Sequence, residues 1–160
     1  MKITDKFVLF FSNNDMMSNF YPIQFKHQKY IFSNSEQAFM WRKAIFFKDY
    51  EIAHQILTKA KNPNYAKSLG RKVKNYDDNQ WSNIRYEIMK EVVKDKINQF
   101  DELKEFIKTN KDKTFVEASP YDNIWGVKLS ENDDKILDPS NWKGQNLLGE
   151  VYNDLKMEVN

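Results

Sequence analysis

The chain alternates short apolar runs with longer stretches of helical period. Residues 6 to 11 form a β-branched and aromatic run that predicts an opening strand, ended by Asn13-Asn14-Asp15. Residues 23 to 25 and 30 to 32, separated by Lys26-His27-Gln28-Lys29, predict a hairpin. Ser33 stands three residues before Glu36 in a capping-box pattern, so a helix is expected to start there and run through Ala44. Ile52, Ala53, Ile56, Leu57 and Ala60 recur at helical period and predict a second helix over residues 49 to 61. Asn62 caps a third at residues 63 to 69, with Pro63 at its first position and Gly70 where a C-cap glycine belongs. Asp77-Asp78-Asn79 offers caps for a longer helix that contains Trp81, Ile84, Arg85, Ile88, Met89 and Val92 and ends near Gln99. Leu103, Phe106 and Ile107 form the inward face of a helix over residues 101 to 108. Residues 113 to 118 and 125 to 129 predict two strands around the turn Ser119-Pro120-Tyr121-Asp122-Asn123. A polar loop at residues 130 to 142 and a closing helix at 144 to 157 complete the chain, with no repeat, linker or low-complexity tract. The pattern predicts an α+β fold, a mainly helical single domain over residues 1 to 160 with a small antiparallel sheet.

Composition narrows the chemistry. At 160 residues, with 41% hydrophobic and 30% charged residues, the chain can bury a core of its own. Aromatics reach 15%, enough to fill that core and also to offer stacking faces to a planar base. A net charge of +2 is far from the basic excess of a protein that lives on a nucleic-acid backbone. There is no Cys, which excludes disulfides, thiolate metal sites and cysteine nucleophiles, and the two His, His27 and His54, are too widely separated to form a metal-ligand pattern. No metal and no cofactor are therefore expected. No run approaches the ~20 apolar residues of a membrane span, and the amino terminus lacks a signal-peptide pattern, so a cytoplasmic protein is expected.

The chemistry concentrates on the first helix. Glu36, Phe39 or Met40, and Lys43 share one face, and at ~1.5 Å per residue Glu36 and Lys43 stand roughly 10 Å apart, close enough for both side chains to converge on one small ligand. Two readings fit: Glu36 as the cap's reciprocal partner with Lys43 extending to solvent, or a carboxylic acid paired with an amine. Asp122 is likewise either the acceptor of a turn or a second carboxylate. Trp81 and Trp125 are either core anchors or stacking plates, and Gly126 admits a close approach to the backbone. Arg71, after Gly70 and near Lys67 and Lys72, can grip a phosphate in bidentate fashion, and Gly144-x-Asn146 offers donors at a helix start.

Several segments, in order, carry a resemblance. They are Ser18-Asn19-Phe20-Tyr21-Pro22, Ser35-Glu36-Gln37-Ala38-Phe39 with Lys43-Ala44, Ala66-Lys67-Ser68-Leu69-Gly70-Arg71-Lys72-Val73, Trp81, Val116-Glu117-Ala118-Ser119-Pro120-Tyr121-Asp122-Asn123-Ile124-Trp125-Gly126, and Gly144-Gln145-Asn146-Leu147-Leu148-Gly149. Together they resemble the NADAR family, also called YbiA-like, across nearly the whole chain. Leu147 departs from the pattern, since the family often has Trp there. The resemblance implies a metal-independent N-glycosidase that acts on ADP-ribose attached to guanine or on a phosphoribosylated riboflavin-pathway intermediate. It further implies that Glu36, Lys43 and Asp122 are catalytic, with Lys43 as nucleophile, and that Trp81 and Trp125 are functional; the substrate-binding residues expected are these two tryptophans with Asn19, Phe20, Arg71, Gly126 and Asn146. The expected partner is an ADP-ribose-bearing nucleotide or nucleic-acid base, or a phosphoribosylated small molecule, with no membrane and no obligate protein partner. The alternative is a module that binds ADP-ribose or NAD-derived nucleotides without turnover.

Overall fold

The computed structural model describes residues 1–160. The fold is α+β, with six α-helices and two small sheets, and the chain groups into two compact units. One unit is residues 19–100; the other joins residues 1–18 to residues 101–160.

In the unit formed by both ends of the chain, β1 (Lys2–Ile3) pairs antiparallel with β2 (Phe7–Phe10). β2 then pairs in parallel with β5 (Thr114–Glu117), Val8 opposite Phe115 and Leu9 opposite Val116. The β1–β2 pairing and that of the hairpin at residues 25–32 are antiparallel, as expected, and the β2–β5 pair alone is parallel. All four residues of β2 are buried. Phe7 and Leu9 join Val116, Ala118, Val127, Leu129 and Ile136 in one apolar cluster, with Trp142 packed on its edge. α5 (Asp101–Thr109) buries Leu103 and Ile107. α6 (Leu147–Leu155) buries Tyr152, whose hydroxyl donates to the Met17 carbonyl at 3.0 Å.

Residues 125–129 do not form the expected strand. Their backbone bonds are taken by several separate segments: the Val127 amide donates to Glu117, and Lys143, Asn146 and Leu148 donate to Val127, Gly126 and Trp125. The closing helix starts later than expected, at Leu147, because Gly144 packs against the Gly126 and Asn123 backbone and Asn146 adopts a left-handed conformation (φ 54°).

The unit of residues 19–100 begins with a hairpin, β3 (Phe25–His27) and β4 (Tyr30–Phe32), turned through Gln28 at φ 56°. It continues through α1 (Ser35–Phe46), α2 (Tyr50–Lys59), α3 (Pro63–Gly70) and α4 (Asp78–Gln99). Asp49, Asn62 and Asp77 cap the last three helices through their side chains, each meeting amides that a first turn otherwise leaves unpaired. Gly70 is not the left-handed C-cap expected. It is the last helical residue, and a Cβ there would overlap Met40 Sδ, so its smallness lets α1 and α3 approach. His27 ties the hairpin to α4 and α1: Nδ1 contacts Asp95 Oδ2 at 2.7 Å and Nε2 accepts from Arg42 Nη1 at 2.9 Å. No helix is long and apolar enough to cross a membrane.

Candidate active site

The cap of α1 decides what Glu36 is for. The N-cap is Asn34, not Ser33: its backbone is extended and its Oδ1 accepts from the Gln37 amide at 2.8 Å. Gln37 Oε1 reaches back to accept from the Ser33 amide at 2.8 Å, and Gln37 Nε2 donates to the Ile56 carbonyl at 3.0 Å. The reciprocal part of the box therefore falls to Gln37. Glu36 is buried in the first turn, with its amide donating to the Asn19 carbonyl at 3.1 Å.

Lys43 lies two turns further along the same helix. Its Nζ stands 4.7 Å from the centre of the Tyr76 ring and 6.0 Å from that of Trp81. Trp81 is buried among Phe39 (5.3 Å), Phe46 (6.0 Å) and Phe47 (6.0 Å). Tyr76 packs on Phe47 at 5.4 Å, and its hydroxyl donates to Asp78 at 2.7 Å, which fixes the ring beneath the amine. Burial lowers the Lys43 pKa below its ordinary 10.5; the Glu36 charge pulls it back up, and the Arg71 charge pushes it further down. Glu36, Lys43 and Arg71 thus act on one another, and the amine is neutral more often than a surface lysine.

Asn19 completes this side. It is 8% exposed, its Nδ2 donates to Met89 Sδ at 3.6 Å, and its Oδ1 is buried with no partner. Ser35 Oγ, next to Glu36, is also buried without a partner. Two unsatisfied polar atoms beside one buried carboxylate form a set that a ligand's donors can complete. Phe20 follows Asn19 and is partly buried.

The other candidates lie in the other unit. Asp122 Oδ1 accepts from the amides of Ile124 and Trp125, both at 2.8 Å, so this oxygen closes a turn that carries partly buried Trp125. A Cβ on Gly126 would stand 3.0 Å from the Glu117 carbonyl oxygen and from Ser119 Cβ, so the space beside it is filled by the protein's own atoms. Asn146 is 1% exposed and clamps β5: Oδ1 accepts from the Glu117 amide at 2.9 Å, and Nδ2 donates to the Phe115 carbonyl at 3.2 Å. Its amide is spent on the fold.

Residues 19–100 therefore bring together Asn19, Glu36, Lys43, Arg71 and Trp81, while Asp122, Trp125, Gly126 and Asn146 belong to the second unit. Tyr76 was not anticipated. It sits between α3 and α4, outside any periodic element, and only the tertiary fold lays it against Lys43. No three His, Asp or Glu side chains gather as a potential metal site.

Comparison with known proteins places the chain in a family. The NADAR domain family matches residues 9–160. The chain is similar to the protein irg-1 of Caenorhabditis elegans, 36% identical over 172 aligned positions that cover 98% of this chain and 81% of that one. It is also similar to the N-glycosidase R617 of Acanthamoeba polyphaga mimivirus, 31% identical with 97% of each covered. Its fold resembles the solution structure of the Escherichia coli protein YbiA with a TM-score of 0.78, covering 98% of this chain and 86% of that one at 22% identity. A family match that spans most of the chain, together with these relatives, shows that the protein belongs to the NADAR family.

Proposed function

We propose that the protein is an N-glycosidase that hydrolyses the C–N bond between a ribose and a base in an ADP-ribosyl or phosphoribosyl substrate. The observation that carries this reading is the Lys43 amine, desolvated against Tyr76 and Trp81 and electrostatically coupled to buried Glu36. The mimivirus relative's name supports the glycosidase class.

In this reading neutral Lys43 attacks C1 of the ribose as the C1–N bond breaks, and Glu36 gives the departing base its proton. The attacking nitrogen then loses a proton, which restores Glu36 as an acid. Opening of the sugar ring protonates its ring oxygen and leaves a Schiff base between C1 and Nζ. Water adds to C1, the C1–Nζ bond breaks, and the aldehyde recloses as free sugar with the amine restored. The balance is one water consumed for one base and one reducing sugar. Trp81 and Tyr76 keep water from the amine until substrate arrives.

The test is to incubate the protein with ADP-ribosyl-guanosine, ADP-ribosylated DNA and a phosphoribosylated riboflavin intermediate, and to separate products by chromatography. Borohydride should trap substrate-derived mass on Lys43. Lys43→Ala should abolish turnover while leaving the melting temperature and ligand binding in place. A Lys43→Ala protein with near wild-type turnover refutes the reading, and a wild-type protein that binds every substrate and cleaves none is the binding module instead.

A further inference from the structure

α4 turns one row of side chains toward α1. Trp81, Arg85 and Met89 stand four residues apart and therefore lie along one face. Trp81 packs on Phe39 of α1 at the Lys43 end. Met89 accepts from Asn19, whose carbonyl holds the Glu36 amide, at the other end. Arg85 is the middle of a row whose ends are marked by the Lys43 amine and, through Asn19, by the backbone of Glu36.

Arg85 differs from the other guanidinium that α1 and α4 share. Arg42 is fully engaged, with Nη2 2.8 Å from Glu91 Oε2 and Nη1 on His27. Arg85 is partly buried, and its Nε is enclosed with no acceptor. The carboxylate of Asp78 is already taken by the Tyr76 hydroxyl. A buried guanidinium N–H without an acceptor is costly, and the cost is relieved when a ligand brings the oxygen. The Arg85 charge also favours the Tyr76 phenolate, against burial and the Asp78 carboxylate, which raise the Tyr76 pKa.

We propose that Arg85 is a substrate-binding residue for the 5-phosphate of the ribose whose C1 Lys43 attacks, an assignment that rests on the glycosidase reading for its substrate. ADP-ribosyl and phosphoribosyl groups share one feature besides the ribose: a phosphate on C5. The planar fork of Arg matches two phosphate oxygens. Arg85 lies one turn, about 5.4 Å, along α4 from the Trp81 ring that borders the amine, the scale of a ribose spanning C1 to C5. Arg71, exposed at the end of α3, is left for the more distant phosphate of a diphosphate. The pair explains how one site accepts both substrate classes.

The test uses ribose 5-phosphate against ribose in calorimetric titration and thermal shift, with wild type, Arg85→Gln and Arg85→Lys. Wild type should bind ribose 5-phosphate and gain stability from it, with no comparable gain from ribose. Arg85→Gln should weaken ribose 5-phosphate by about 10- to 100-fold, the range of one charge-assisted contact. Arg85→Lys should recover part of that loss, because it keeps charge without the fork. In turnover, Arg85→Gln should raise KM for a phosphoribosyl substrate by a larger factor than for its dephosphorylated ribosyl analogue. The assignment is overturned if wild type does not bind ribose 5-phosphate, if folded Arg85→Gln binds it as tightly as wild type, or if both ligands weaken equally. A protein that binds ribose 5-phosphate through Arg85 but cleaves nothing removes the glycosidase reading and leaves the phosphate assignment standing.

Discussion

Replacing Gly70 by Ala is predicted to destabilise the protein through a single neighbour, Met40. Gly70 ends α3 without a positive φ, so Ala is conformationally allowed there and raises helix propensity by about 0.5–1 kcal/mol. Against that gain, the new Cβ would overlap Met40 Sδ and stand 3.1 Å from its Cγ, forcing a buried side chain out of place. Overpacking of this kind costs about 1–3 kcal/mol, so the net effect is a loss of up to about 2.5 kcal/mol. Met40→Ala removes the obstruction and itself costs about 2–5 kcal/mol. In that background Gly70→Ala should change sign and stabilise by up to about 1 kcal/mol, because only the propensity gain and the filled space remain. Equilibrium urea denaturation of the four proteins measures the coupling directly, with about 1–3 kcal/mol expected. If Gly70→Ala has the same effect in both backgrounds, within about 0.5 kcal/mol, the close approach of α1 and α3 is not what requires glycine here. Met40 lies between Glu36 and Lys43 on α1, so the same double-mutant cycle run on turnover reports how far packing under α1 sets the site.

Other outcomes follow from the charges and turns. The pH dependence of base release should show the Lys43 ionisation below the ordinary lysine value of 10.5; Arg71→Gln should move that ionisation to higher pH and Glu36→Gln to lower pH, read from single-turnover profiles. His27 has a pKa lowered from 6.5, chiefly by burial, so its contribution to stability is fully present above that value and lost as pH falls through the lower folded value; denaturation midpoints of His27→Gln should lack this acid-side loss. Asp122→Asn keeps an Oδ1 acceptor for the Ile124 and Trp125 amides, so it should melt near wild type, while Asp122→Ala should lose about 1–2 kcal/mol; if Asn also leaves turnover unchanged, Asp122 serves the turn alone. Activity should survive exhaustive chelation, and loss restored by one divalent ion would reveal a metal site.

The legible parts of this chain were those whose causes are local. Asp49, Asn62 and Asp77 cap helices through side chains that bond amides two or three residues away, so the sequence near each cap contains both partners. The Glu36 and Lys43 register was legible for the same reason, since one helix carries both. The cap itself was misplaced by one residue, because Ser33 and Asn34 both suit the position and only the fold distinguishes them, through the bond from Asn34 Nδ2 to the Lys61 carbonyl. Residues 125–129 have strand composition, but their backbone partners are Glu117, Lys143, Asn146 and Leu148, contributed by the end of one strand, a loop and the start of a helix rather than by one neighbouring strand. Gly70 was read from a local rule for helix ends, and its reason is a side chain thirty positions earlier. Tyr76 escaped because a tyrosine in a connection is unremarkable until the fold lays its ring against the Lys43 amine.

The opposing influences on Lys43 are what a nucleophilic amine requires. Burial alone would leave the amine neutral but without a partner for the protons that the reaction moves. The Tyr76 ring and Glu36 favour the charged form, while burial and Arg71 favour the neutral one. Such a balance brings the pKa toward the working pH, where an amine can attack and later be released at comparable cost. It depends on distances that must not drift, and the structure fixes them with ordinary parts. Gln37 is pinned to Ser33 and Ile56, Asp78 holds Tyr76, and three phenylalanines hold Trp81. In the proposed mechanism the reactive groups therefore stand on helices whose own packing orients them, and the unsatisfied atoms of Asn19, Ser35 and Arg85 lie within the same unit.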